Sequence, residues 1–309
     1  MSSVPENRIE TPLWPSLAII VASVLWGLYW IPMRSLEEVG IEKGWPSLVL
    51  NVGVLAVLLP GIALRWRRFL FQPGQLAIAG LSIGAALGLY GMALNLTEVV
   101  RAVLLFYLSP AWSTLIGLIW LGERLTLRRI AALTMGFAGL VVVLGIEDGI
   151  PLPQSVGDWM ALVSGIVWSI GSAKIYTSRG HGTFEISCSM ALGTVVVAGA
   201  MLAIFPADVI GGFPTPSNPA RALAILAIGI LVLMMPILFL TVWGTKRLSP
   251  ATAGILLLGD LVVAIASAAI LLEDEPFGIR EITGTLLIAG AGFLEVLPFR
   301  RRRRVIEGV

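Results

Sequence analysis

Asp260 is the residue that most demands a chemical explanation. It stands nine residues into an apolar run over 251–272. A charge at the centre of a bilayer costs at least about 2.5–3.5 kcal/mol, so such a group faces a cavity or a partner rather than lipid. A carboxylate placed there can hold a substrate ammonium, carry a coupling proton, or pair with a base such as Lys174. Aromatic and hydroxyl residues at helical spacing accompany it. Trp26 and Trp30 are four apart, with Ser23 on the same face. Ser164, Trp168 and Ser172 form a similar stripe, Tyr107 and Thr114 a third, and Tyr90 projects from a fourth segment. Turned toward one another, these stripes wall a cavity with stacking surfaces, each offset aromatic pair adding about 0.5–1.5 kcal/mol beyond area burial. The substrate-contact candidates are Trp26, Tyr90, Asn95, Tyr107, Trp112, Trp168, Ser172 and Asp260.

Other polar groups carry weaker signals. Arg101 either attracts a substrate carboxylate or snorkels to the surface, and Lys174 snorkels. His181 lies in a Gly-flanked loop and is expected to be solvated. Thr97 and Ser249 are good helix N-caps, and Pro250 suits a first helical turn. Pro110 and Pro236 fall inside apolar runs, where each removes a backbone hydrogen bond and favours a kink; both are gating candidates. Gly80, Gly84 and Gly88 recur every four residues and offer a flat seam for close helix packing.

These residues need a membrane around them. The 309-residue chain is 57% hydrophobic and only 13% charged, where soluble domains carry about 25% charge. That balance excludes soluble enzymes, nucleic-acid binders and disordered scaffolds. A single Cys and a single His exclude an internal disulfide and a His/Cys metal site. No G-x-x-x-x-G-K-[ST] loop is present, so no ATP hydrolysis and no cofactor are expected. A spanning helix needs about 20 apolar residues. Ten such runs are expected, at 15–33, 47–64, 76–95, 99–121, 130–146, 158–176, 186–205, 222–243, 251–272 and 282–299. The fold class is therefore all-α, a polytopic membrane protein with the lipid bilayer as its solvent.

Basic residues set the orientation. Of the 21 Lys and Arg, 16 fall on one side, in the N-terminal tail, the loops near Arg65, Arg124, Lys174 and Lys246, and the run Arg300 to Arg304. Both termini are expected in the cytoplasm. Trp14, Trp45, Trp66, Trp120, Trp159 and Trp243 stand at span ends and read as interfacial belt residues.

The chain also carries a weak internal repeat. A shift of 152 residues lays Leu96, Leu104 and Leu105 on Leu248, Leu256 and Leu257, Thr97 on Ser249, and Glu123 on Glu275. A shift of 142 lays Trp26 on Trp168. A seam at Glu147 to Gly157 leaves five spans in each half, and an odd number inverts the second half in the membrane. Inverted repeats recur in secondary transporters, with the substrate near mid-bilayer.

Two five-span halves, Trp26-Gly27 in the first span, and Leu-Gly-Glu-Arg-Leu-Thr at 121–126 resemble the drug/metabolite transporter superfamily, specifically its EamA-domain members. Within these the chain looks like aromatic amino acid exporters of the YddG type. The resemblance spans about residues 15–299 and departs from the pattern at Glu273-Asp274-Glu275-Pro276 and at Ser169 after Trp168. It implies two repeats, at 15–146 and 158–299, followed by a basic cytoplasmic tail at 300–309. It implies export of a small organic solute, aromatic amino acids first, across a bacterial inner membrane by alternating access, with no enzymatic activity and no nucleic-acid partner. A different small metabolite, or a lipid-handling role, is the alternative. Phosphorylated cargo is disfavoured, because only Arg101 and Lys174 approach the depth that phosphate recognition needs.

Overall fold

The computed structural model describes residues 12–144, 152–271 and 278–296. Arg8, the start of the seam at Glu147, the segment Glu273 to Pro276 with Glu275, and the tail 300–309 with Arg300 to Arg304 lie outside the described residues. Among the described residues nine helices are long and apolar enough to cross a bilayer. They are α1 (Leu13–Glu37), α2 (Trp45–Leu64), α3 (Pro73–Leu96), α4 (Val99–Trp120), α5 (Leu127–Leu144), α6 (Val156–Thr177), α7 (Thr183–Ile204), α8 (Pro219–Thr245) and α9 (Pro250–Leu271). α10 (Ile279–Val296) has 18 residues but carries Arg280, Glu281 and Glu295. No strand occurs among the described residues. The chain is a polytopic all-helical membrane protein.

Local chemistry starts several helices. Ser155 and Asp158 form a capping box at α6. Asn218 accepts from Arg221 N ahead of α8, and Ser249 accepts from Thr252 N ahead of α9. Thr97 does not cap α4. The N-cap position there is Glu98, and the Thr97 hydroxyl instead donates to the buried Asp158 Oδ1 at 2.6 Å.

Glycine decides where helices touch. A Cβ on Gly84 would lie 2.1 Å from Met190 O, and Cβ atoms on Gly80 and Gly88 would meet Ser189 and Val197. The three-glycine seam therefore presses α3 against α7 at backbone distance. Gly139 and Gly284 do the same for α5 and α10, each Cβ position 2.7 Å from the other's carbonyl oxygen.

Five helices are not regular. α1 breaks after Gly27, α4 at Tyr107 and α9 at Leu258. α3 and α8 each contain a wide π turn, at Ala77–Leu81 and Gly229–Met234. The 152-residue shift carries 77 onto 229 and Tyr107 onto Gly259, so the two wide turns and the breaks of α4 and α9 fall in register, while the break of α1 has no counterpart in α6. Several of the packing pairs behave alike. α3 packs on α6 and α7, α8 on α1 and α2, α4 on α6, and α9 on α1, while α2 meets α7 and α5 meets α10. Exchanging α1–α5 with α6–α10 maps this set onto itself.

Pro110 does not kink a continuous helix. It sits in the first turn of the segment that restarts at Ser109, where a missing N–H is harmless. Pro236 likewise follows directly on the wide turn of α8.

Candidate functional site

The breaks in α4 and α9 face each other across a cavity of about 350 Å³. Its walls come from α1, α2, α3, α4, α6, α7, α8 and α9. Trp26, Tyr90, Tyr107, Trp168 and Asp260, named from sequence, all line it. The cavity runs from the breaks past Met33, Ser47 and Leu94, toward the bundle end where α1 meets α2 and α3 meets α4. Arg65, Lys174 and Arg247 mark the opposite end. There they lie over Phe184 at 4.8 Å, Trp120 at 5.3 Å and Trp243 at 4.1 Å.

The rings are organised around Phe106. It stacks on Tyr90 at 4.3 Å between centroids, meets Tyr107 edge-on at 5.4 Å, and meets Trp168 edge-on at 6.1 Å. A second pair, Trp26 and Tyr29, makes an edge contact at 5.6 Å. Hydrogen bonds fix the indoles of α1. Trp26 Nε1 donates to Thr241 Oγ1 at 3.2 Å, and Trp30 Nε1 donates to Ser267 Oγ at 3.0 Å. Buried indoles need such partners.

Asp260 is held on one oxygen. Tyr107 Oη donates to Oδ1 at 2.8 Å, and Leu261 N donates to the same atom at 2.7 Å. Oδ2 takes no hydrogen bond among the described residues. Gly27 allows α1 to come this close, since a Cβ there would sit 2.4 Å from Asp260 O. Lys174 does not pair with Asp260 and lies over Trp120 instead. Among the described residues Asp260 is the one acidic or basic side chain on the cavity wall.

Other sequence-named residues stand outside the cavity. Asn95 Nδ2 donates to Gly91 O in its own helix at 2.9 Å. Trp112 Nε1 is buried with no hydrogen-bond partner among the described residues. Ser172 is buried in helix packing. Thr114 donates to Pro110 O, and Ser169 ties α6 to α4 through Ser109 O at 2.9 Å. Arg101 neither reads a carboxylate in the cavity nor snorkels freely. It pairs with Asp158 at 2.6 Å and donates to Leu152 O. His181 is buried rather than solvated. Its Nε2 lies 2.6 Å from Phe71 O, and its carbonyl accepts from Lys246. Burial, with Arg247 alongside, pushes the Lys246 ammonium below its usual range. Glu123 accepts from Arg129 at a helix end.

Phe106, Tyr29, Asn51 and Thr194 line the cavity and were not singled out from sequence. Phe106 gives no signal because an isolated Phe in an apolar run reads as lipid-facing. A second groove, of about 550 Å³, lies between α1 and α8. Its wall is Trp14, Leu17, Val21, Phe239 and other apolar groups with the hydroxyl of Thr183. It offers no charge to orient a solute, and with Trp14 and Leu17 exposed it is lipid-facing surface.

Comparison with known proteins agrees with this architecture. Residues 13–145 match the family described as "EamA-like transporter family". The chain is 26% identical over 306 residues to a "Probable terminal-alkyne amino-acid exporter" of Streptantibioticus cattleyicolor, covering 96% of this chain and 97% of that one. It is 24% identical to a "Probable amino-acid metabolite efflux pump" of Escherichia coli K12, covering 94% and 97%. It is also 24% identical to the "Uncharacterized transporter YvbV" of Bacillus subtilis 168, covering 93% and 91%. One solved crystal structure superposes with a TM-score of 0.69 at 23% identity, covering 91% of this chain and 95% of that chain, which shows a shared fold. Residues 13–145 thus carry an EamA-like transporter domain, and the relatives that match along nearly the whole chain are named as transporters, exporter and efflux pump.

Proposed function

We propose that this protein exports small organic solutes bearing an aromatic ring, aromatic amino acids among them, across a bacterial inner membrane. The observation that carries the reading is the cavity where Tyr107 and Asp260 join two broken helices inside a ring of aromatic side chains. Discontinuous helices at mid-bilayer are how transporters present polar groups to a solute without exposing them to lipid. Two relatives named as amino-acid exporter and amino-acid metabolite efflux pump favour amino compounds as cargo.

The cycle is alternating access between two inverted five-helix repeats, 15–146 and 158–299, ten spans in all. The matched wide turns and breaks, and the self-mapping packing pairs, support that division. With the cationic end in the cytoplasm, both termini lie inside, and the cavity described above opens outward. Trp26, Tyr90, Phe106, Tyr107 and Trp168 stack on the solute, while Asp260 orients it. Pro110 and Pro236 sit beside the break of α4 and the wide turn of α8, where a rocking repeat bends.

The test is uptake of radiolabelled L-tryptophan, L-phenylalanine, L-leucine and L-glutamate into proteoliposomes, with and without a pH gradient. Saturable uptake of the aromatic pair, impaired in Trp168→Ala at unchanged folded yield, supports the reading. Uptake of leucine or glutamate with tryptophan excluded overturns it.

A further inference from the structure

We propose that the cavity reads the ammonium group of its solute and not a carboxylate, so that aromatic amines lacking a carboxylate are ligands in their own right. This rests on the aromatic-solute reading above and goes further by naming the charged group that is recognised.

The first ground is the charge of the wall. Among the described residues Asp260 is its only Asp or Glu, and no Lys, Arg or His lines the cavity. Arg101, the nearest candidate from sequence, is engaged by Asp158 and Leu152 O and lies off the wall. A solute carboxylate brought to the depth of Asp260 would meet a like charge with no cation to offset it.

The second ground is the free face of Asp260. Tyr107 and Leu261 both donate to Oδ1. That arrangement fixes the carboxyl group and leaves Oδ2 without a protein donor among the described residues. An ammonium supplies the missing donor as a charge-assisted hydrogen bond.

The third ground is the aromatic surround. Tyr107, Phe106 and Tyr90 form one contiguous ring cluster that begins at the residue bonded to Asp260. Ring faces attract a cation electrostatically as well as stacking on an aromatic body. A zwitterionic amino acid can still bind, with its carboxylate turned from Asp260 toward Ser47 and Asn51. It finds only neutral donors there, so removing the carboxylate costs little affinity.

Four indole probes of one shape separate these terms: tryptamine, L-tryptophan, indole-3-propionate and 3-methylindole. Binding is measured calorimetrically on the full-length protein in detergent. Tryptamine is expected to bind at least as tightly as tryptophan, and indole-3-propionate at least about tenfold more weakly than tryptamine. Asp260→Asn is expected to weaken tryptamine by at least about tenfold while leaving 3-methylindole unchanged. Should that variant fail to fold, the ranking on the wild-type protein decides alone. Indole-3-propionate binding as tightly as tryptamine overturns the inference, and so does tryptophan binding with tryptamine excluded; both leave the aromatic-solute reading intact. No binding of any indole overturns both.

Discussion

The hydroxyl of Tyr107 donates to Asp260 Oδ1 at 2.8 Å, and each residue stands where its helix is interrupted, Tyr107 at the break of α4 and Asp260 just past that of α9. One hydrogen bond thus ties the two discontinuous helices together at the cavity. A hydrogen bond to a charged group is worth about 1.5–3 kcal/mol, and leaving the acceptor unpaired costs more than removing both partners. Tyr107→Phe is expected to lower stability by about 1.5 kcal/mol, and to cost much less in an Asp260→Ala background, where no acceptor is left. A double-mutant cycle from thermal unfolding in detergent reads that coupling. Strict additivity would mean the bond is not maintained in the membrane protein.

Phe106 is expected to matter as much as any residue that sequence alone brings forward. It touches Tyr90, Tyr107 and Trp168, so Phe106→Leu removes three ring contacts while keeping most of the apolar volume. Each pair contributes about 0.5–1.5 kcal/mol, so the melting temperature should fall, and loss of Phe106's own stacking on the solute should weaken tryptophan binding by up to about tenfold. Equal affinity in the variant would mean that the ring cluster holds the fold and not the solute.

The membrane character, the helical fold class and the positions of the nine long helices were legible in the chain, because charge and apolar run length report on bilayer burial directly. The cavity-wall positions of Trp26, Tyr90, Tyr107, Trp168 and Asp260 were legible for a related reason, since a carboxylate, phenol or indole at mid-span carries a polar group that needs a partner or a cavity. Phe106 was not, because nothing distinguishes a cavity Phe from a lipid-facing one until helix rotation is known. Asn95 misled, because its amide satisfies itself on Gly91 O within the same helix. His181 misled because loop composition does not reveal that Phe71 folds over it. The break at Leu258 carries no proline within its flanking residues, and it arises from packing, with Gly259 close against Ser23.

The seam between α3 and α7 gives a stability prediction. A Cβ on Gly84 would stand 2.1 Å from a backbone oxygen that cannot rotate away, whereas Gly199, on α7 itself, has nothing within 4 Å. Gly84→Ala is expected to cost about 1–3 kcal/mol as an overpacked contact. Gly199→Ala should change stability by no more than about 0.5 kcal/mol. Melting temperatures of the two variants check the contrast, and equal values would place α7 farther from α3.

Asp158 gathers Arg101, Thr97, Gln154 N and Ser155 N at the start of α6, and its side chain is only 1% exposed. Arg101→Gln leaves that carboxylate buried without its cation, so the melting temperature should fall clearly. Asp158→Asn added to Arg101→Gln should recover part of the loss, because the uncompensated charge is then gone. A double variant less stable than Arg101→Gln alone would show that the carboxylate's other partners, and not the ion pair, dominate at this site.

The central claim is that one cavity, reached in turn from both faces, holds the solute. Cys188 is buried and is the chain's single cysteine, so a Cys188→Ala background is free of native thiols. Leu257→Cys then places one thiol on the cavity wall beside the break of α9. In oriented membrane vesicles, a membrane-impermeant maleimide should modify that thiol from either face, and L-tryptophan should slow the reaction from both. Modification from one face only, or at a rate that tryptophan does not change, would contradict the account.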